Sequence, residues 1–434
     1  MNWKRLRLWI AMAVFASACA GPDLVTPTPV TVSPAFIVSP TFTPNPTSPV
    51  SSPTPVPVTV TSFPTLAPFV PDGPVIKPIP AGRGFEIRYI KMFDNLNGWA
   101  ITTWMDSADH LLRTADGGWT WYDVTPPESP AVGPGMGKMA LPCFLDPLTA
   151  WVVYSNADDS LPQQAATVWF TRDGGATWRA GQGIVPDQSW EFFAPAYIDF
   201  VDSRNGWLLV SLGAGMNHVY SALYHTTDGG QNWVPLITPY DDGGIQACAK
   251  TGMDFISETI GWLVIDCHGV APVPYIFSTI DGGRTWSKID LLPPPDRPEI
   301  FGDSFCGAYH PTLANLRAGI FLLMCQKYGG DRAVSDYLYR TADGGSTWQV
   351  IPFPGGTPVL LYDQTLYAIG RTIRRSDDGG STWVEVGTVN WDPQVSFVDR
   401  NTAWAVASKG GEYALVKTID GCSSWKLLRT QIAP

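Results

Sequence analysis

The sequence predicts an all-β chain, with seven four-stranded blades arranged as a β-propeller. Three observations carry that prediction. The pattern Ser/Thr-x-Asp-Gly-x-x-x-Trp occurs seven times, starting at Thr114, Thr171, Thr226, Thr279, Thr341, Ser376 and Thr418, about 51 residues apart on average. A second pattern, Phe-x-Asp-x-x-x-Gly-Trp in full at Phe200 to Trp207, precedes it, with close variants at Phe93 to Trp99 and Phe255 to Trp262 and looser copies ending at Trp151 and Trp404. The composition fits many tight turns around apolar strands: 45% hydrophobic, only 15% charged, with 19 Trp and 42 Gly.

Each box is read as a hairpin turn. The aspartates Asp116, Asp173, Asp228, Asp281, Asp343, Asp378 and Asp420 hydrogen-bond their own turns, and the Gly that follows accepts positive φ. The Trp then opens the outgoing strand with a large apolar face. In the seventh copy Cys422 replaces the second Gly, which is expected to strain the turn. Apolar alternation on both sides of the Phe-to-Trp pattern makes a second hairpin. One repeat is therefore strand A, a turn, strand B, a variable loop, strand C, the Asp box and strand D. The first blade spans about residues 84–125 and the last about 394–430, with the ring closing by packing and no exchange of strands.

The N-terminus reads as an export signal. Lys4, Arg5 and Arg7 precede an apolar stretch, residues 8–15, too short to span a bilayer, and then the small residues Ala16-Ser17-Ala18. This resembles a bacterial lipoprotein signal, which implies that residues 1–18 are removed and that Cys19 carries lipid; an ordinary cleaved signal is the alternative. Residues 19–80 are expected to be a Pro/Thr-rich linker. Seventeen Pro between residues 22 and 80 leave no ladder or helix intact and favour an extended, disordered spacer. The propeller then occupies residues 81–434, giving an extracytoplasmic protein held at the cell membrane.

Cys248 and Cys267 are nineteen residues apart, as are Cys306 and Cys325, and each pair flanks an A–B turn symmetrically. In an exported domain this predicts two disulfides across hairpins. A metal site is the alternative; it lacks a second clustered ligand pair. Cys143 and Cys422 fall in non-adjacent blades and are expected to stay free.

The box resembles the bacterial neuraminidase repeat of sialidases, sortilin-type receptors and several glycosidases, where it is a fold element away from the active centre. The combined pattern, as in Phe93-Asp94-Asn95-Leu96-Asn97-Gly98-Trp99 followed by Thr114-Ala115-Asp116-Gly117-Gly118, resembles the seven-bladed photosystem II assembly and stability factors and their bacterial relatives. That resemblance spans residues 84–430. It implies a non-enzymatic scaffold that grips a partner protein outside the membrane, without a cofactor. This chain departs from the group in its acidity (net charge −11) and its long Pro/Thr tether. The group is expected to use an Arg-rich patch; the nearest cluster here is Arg371, Arg374 and Arg375, read as a solvated strand edge.

The acidic balance shows no basic field for nucleic acid and speaks for solubility. The arginine and tyrosine set of a sialidase is not recognisable; Phe85-Glu86-Ile87-Arg88-Tyr89 does not match the expected early motif. The alternative function is a carbohydrate-active propeller, a glycoside hydrolase or a glycan reader. Its carboxylates would come from Asp158-Asp159, Asp241-Asp242 or Asp266, although paired loop aspartates are usually turn formers. No catalytic residue, metal site or cofactor motif is assigned.

The A–B and C–D turns share one face, so partner binding is expected on the opposite face, among the B–C loops and interblade links. Long inserts in blades 2–5 should raise a wall there, with blades 6 and 7 spare. Twelve Trp belong to the two motifs and are expected in the core. Trp190 and Trp391, in interblade links, are the candidate partner-binding residues, joined by Tyr240 and Tyr328. The partner would be a protein or a cell-surface glycan, the membrane would be engaged only through Cys19, and the chain is expected to be monomeric.

Overall fold

The structure is a computed structural model. It describes residues 76 and 78–433, except 105–107, 128–137, 157–164, 186–191, 216–217, 241–244, 247, 268–273, 329–333 and 362–364. The expected signal, Cys19, nearly all of the tether, Trp190 and the pairs Asp158-Asp159 and Asp241-Asp242 lie outside the described residues.

The fold is all-β. The described strands form seven consecutive antiparallel four-stranded units. Unit 1 comprises Ile87–Met92, Gly98–Thr103, Asp109–Thr114 and Thr120–Asp123; unit 2 comprises Lys138–Phe144, Ala150–Asn156, Val168–Thr171 and Arg179–Ala180. Unit 3 comprises Ala194–Phe200, Gly206–Gly215, His218–Thr226 and Val234–Ile237; unit 4 comprises Ala249–Phe255, Gly261–Asp266, Tyr275–Thr279 and Ser287–Asp290. Unit 5 comprises Ser304–Leu313, Gly319–Lys327, Val334–Thr341 and Gln349–Pro352; unit 6 comprises Thr357–Leu360, Leu366–Ile369, Thr372–Ser376 and Val384–Thr388. Unit 7 comprises Asp392–Phe397, Ala403–Lys409, Glu412–Thr418 and Lys426–Leu427. A single bridge, Asp266 to Gly307, joins units 4 and 5 into one sheet.

The repeat patterns explain how neighbouring units join. In unit 3 the Phe200 ring folds back over Gly206, where any Cβ would sit about 2.4 Å from the ring carbons. The other face of Phe200 receives Trp151 of unit 2, stacked at 3.7 Å and 7°. Phe255 likewise lies over Gly261 and stacks on Trp207 at 3.7 Å and 2°. The indole N–H is then satisfied by the next unit: Trp151 Nε1 donates to Gly229 O and Trp207 Nε1 to Gly282 O, both at 2.8 Å. Trp404 of unit 7 makes the same bond to Gly117 O of unit 1. Met92 N donates to Ser396 Oγ across that junction at 2.8 Å.

The first and last units meet through more than packing, which corrects the sequence reading. Beyond unit 7, Gln431–Ile432 pairs in parallel with Thr120 and Trp121 as a fifth strand on unit 1. Ala433 N donates to Trp121 O, and Gly82 N donates to Ile432 O. The sequence lacks a repeat motif over these two residues, so their pairing left no sign in the pattern.

The tryptophans of the two motifs lie in or against the core. Trp99, Trp151, Trp207, Trp262 and Trp404 are fully buried. Of the box tryptophans Trp121 and Trp233 are buried, and Trp178, Trp286, Trp348, Trp383 and Trp425 are partly buried against the core clusters. Tyr367 takes the indole's place in unit 6, against Phe397, with its hydroxyl donating to Arg400 O at 2.7 Å.

Both expected disulfides form, Cys248 to Cys267 and Cys306 to Cys325, each across its hairpin. Cys422 is free and buried, with φ +74°, and burial pushes its thiol up to about 12. Cys143 is buried and not free, contrary to expectation.

Candidate functional site

The turn face carries the repeat chemistry. In every box the Ser/Thr hydroxyl donates to Asp Oδ1, as Thr114 does to Asp116 at 2.9 Å, and the residue at the second Gly position donates its N–H back to that hydroxyl. The same carboxylate accepts an N–H four residues on, as from Thr382 to Asp378 at 2.9 Å. Hydrogen bonds from Thr382 and from Ser424 hold Asp378 and Asp420 at about 2. These aspartates are therefore spent on the turns. Their turns lie beside the A–B turns, with Gly117 N donating to Leu96 O, Gly174 N to Leu148 O and Gly229 N to Arg204 O.

The opposite face holds the B–C hairpins and interunit links. Among the described residues the longest second and third strands are Gly206–Gly215 with His218–Thr226 in unit 3, and Gly319–Lys327 with Val334–Thr341 in unit 5. Tyr240 is 65% exposed in the link after unit 3. Tyr328 follows unit 5's second strand and packs edge-on against Phe305 at 4.3 Å. The carboxylate of Asp266, a candidate acid, accepts from the Tyr309 hydroxyl at 2.6 Å, bracing units 4 and 5 where they bridge. Arg371 and Arg375 pair with Asp392 and Asp377 along an exposed edge, which agrees with the reading of a solvated strand.

Trp391 lies elsewhere, at the entry to unit 7, and is not brought together with Tyr240 or Tyr328. It is one wall of an open groove of about 510 Å³, lined also by Ala407, Lys409, Gly410, Glu412, Tyr413 and Ala414. The groove exists because two alanines, Ala407 and Ala414, face each other across the second and third strands. Trp425 meets Trp391 edge-to-face at 5.6 Å and fixes its ring from behind. The Arg88 guanidinium lies over the Tyr413 ring at 5.7 Å. Lys409 and Glu412 end the two strands as paired neighbours at the rim. Sequence reading found Trp391 through its place in a link. It missed the alanine floor because unit 7 has a short hairpin and was set aside as spare. The signal was the Ala at both facing positions.

The innermost strands carry buried acids. Asp199 accepts from Phe255 N at 2.6 Å and Asp254 from Leu313 N at 2.8 Å, each stitching its unit to the next. Burial raises both carboxyls, Asp199 to about 7, and the neighbouring Asp199 raises Asp254 further. Among the described residues no group of three or more His, Cys, Asp or Glu is placed to hold a metal ion.

Comparison with known proteins gives two partial matches of opposite character. A xyloglucanase from a Paenibacillus species is 24% identical over 136 residues, 30% of this chain and 13% of that protein. The photosystem II assembly lipoprotein Ycf48 of a Synechococcus strain is 29% identical over 147 residues, 33% of this chain and 34% of that protein. The chain thus spans about a third or less of the curated relatives it matches. Among solved structures, YCF48 from Cyanidioschyzon merolae aligns with a TM-score of 0.42 at 15% identity, covering 68% of this chain and 86% of that one. The GH74 xyloglucanase from Xanthomonas campestris aligns with a TM-score of 0.35 at 14% identity, covering 79% and 64%. No protein-family model matches the chain. The expected resemblance to the photosystem II assembly factors is thus found in the sequence comparison.

Proposed function

We propose that the seven units close as a seven-bladed β-propeller that serves as a non-enzymatic scaffold outside the cytoplasm, gripping a partner protein through the face of B–C hairpins and interunit links. In this reading residues 1–18 are removed, Cys19 carries lipid, and residues 19–80 tether the propeller to the membrane as a monomer. The observation that supports it most is the division of labour between the faces. The box carboxylates are bound into turns on one face, while projecting hairpins and the Trp391 groove occupy the other. The partial match to a photosystem II assembly lipoprotein agrees with a protein partner.

A photo-crosslinking residue placed at Tyr240 or Tyr328, and separately at Ile280 in a box, tests this in living cells. The reading expects one recurrent protein adduct from the first two positions and none from Ile280. Adducts from Ile280 alone would overturn it. A second reading, a carbohydrate-binding propeller, is favoured by the match to a xyloglucanase and by the Trp391 wall of the unit 7 groove.

A further inference from the structure

We propose that a notch over unit 6, on the face of the B–C hairpins, receives an α-helix of the partner protein that presents a Lys or Arg side chain to Asp336; this rests on the scaffold reading above. The notch follows from strand lengths. The second strand runs nine residues in unit 5 (Gly319–Lys327), four in unit 6 (Leu366–Ile369) and seven in unit 7 (Ala403–Lys409). These strands start level. Ile320 and Leu322 of unit 5 pack with Leu366 and Ala368 of unit 6, and Tyr367 of unit 6 meets Phe397 of unit 7. Units 5 and 7 therefore rise past unit 6 by about 16 and 10 Å, at about 3.3 Å per residue. The flank of unit 5 continues the face of Leu322 and Leu338 with Met324, 37% exposed, and Asp336 opposite it. The flank of unit 7 carries Ala414 opposite Ala407, beside Trp391, and then Lys409 opposite Glu412.

Sheets pack about 10 Å apart, so a layer that stops short leaves about 20 Å between its neighbours, room for one helix about 10–12 Å across. Both flanks are sheet faces, with their backbone groups already paired inside units 5 and 7. An inserted strand would find no edge to pair with, whereas a helix satisfies its own backbone. Charge selects the side chain. Lys409 and Glu412 neighbour each other at the crest of unit 7, and Arg371 is taken by Asp392 at 3.2 Å. Asp336 has no such match. Its Oδ1 is buried without a donor among the described residues, close to Gly355 in the link to unit 6. Burial raises its carboxyl, and a cation beside it restores the charged form. The two carboxylate oxygens interchange by rotation about χ2, so an incoming ammonium or guanidinium supplies the missing donor. Met324 and Trp391 meet the apolar sides of the helix and the stem of that basic residue.

The test places a photo-crosslinking residue in living cells at Met324, at Lys409 and, outside the notch, at Tyr240, and maps the adducts by mass spectrometry. The proposal expects Met324 and Lys409 to label one segment of one partner, each marking residues three or four apart, with a Lys or Arg within a turn of the Met324 labels. Asp336→Asn, which keeps the shape and removes the charge, should lower the Met324 yield about tenfold, with a melting temperature no lower than that of the parent chain. Adducts from Tyr240 alone overturn the notch and leave the scaffold reading standing. Adducts from none of the three positions overturn the scaffold reading as well. Labels on alternate residues overturn the helix, and an unchanged yield in Asp336→Asn overturns the basic side chain.

Discussion

Trp404 Nε1 donates to Gly117 O at 2.8 Å, so the last repeat holds the first with the bond that Trp151 makes to Gly229 and Trp207 to Gly282. A junction between residues 287 apart thus repeats the geometry of junctions between consecutive units. The same indole also receives the Lys417 ammonium at 4.0 Å and packs with Ile90, Leu112 and Trp121 of unit 1.

Replacing Trp404 therefore acts on the ring as a whole. Trp404→Phe keeps most of the apolar contact and strands the Gly117 carbonyl, with an expected cost of about 1–2 kcal/mol. Trp404→Ala adds a cavity and should cost about 3–5 kcal/mol. Urea unfolding of the two variants checks the order.

The Asp boxes set the behaviour in acid. Hydrogen bonds hold Asp378 and Asp420 at about 2 in the fold, against about 3.9 for an unfolded Asp. Their stabilising contribution is complete above about pH 4 and is lost as the pH falls through 2. Melting temperature should drop across that window, and a seven-box protein should show it steeply. Asp378→Asn should lower the neutral melting temperature and flatten the acid limb.

The inner carboxyls act in the opposite direction. Burial raises Asp199 to about 7, so its neutral form is the one the fold favours. That contribution is full below about pH 4 and is lost as the pH rises through about 7. Asp199→Asn keeps an acceptor for Phe255 N and removes the charge. Its stability should vary less than that of the parent chain between pH 4 and pH 8 in denaturant titrations.

The two hairpin disulfides each close a separation of 19 residues. Replacing both cysteines of either pair with Ser should cost about 3 kcal/mol, through the freedom regained by the unfolded chain. Peptide mapping should recover both pairs intact. Cys422, buried and with its thiol raised to about 12, should resist alkylation until the chain unfolds.

The repeat was legible because each motif residue has a fixed local task. Gly206 must be bare where Phe200 crosses it, and Thr226 and Asp228 must close their own turn. The disulfides were legible because equal spacing put each pair opposite across a hairpin. The Gln431–Ile432 strand was not, since two residues pairing with a distant edge leave no periodicity. Trp391 was found by its position in a link, whereas the groove beside it depends on Ala407 and Ala414 meeting across strands. Small residues in strands look alike whether they sit against a neighbour or leave a space.

The most direct test of the closed ring is hydrogen exchange at the indole N–H of Trp404, followed by NMR. A closed ring predicts protection at Trp404 equal to that at Trp151 and Trp207, lost only with global unfolding. Fast exchange at Trp404, with the other two indoles still protected, would show that the last unit does not hold the first.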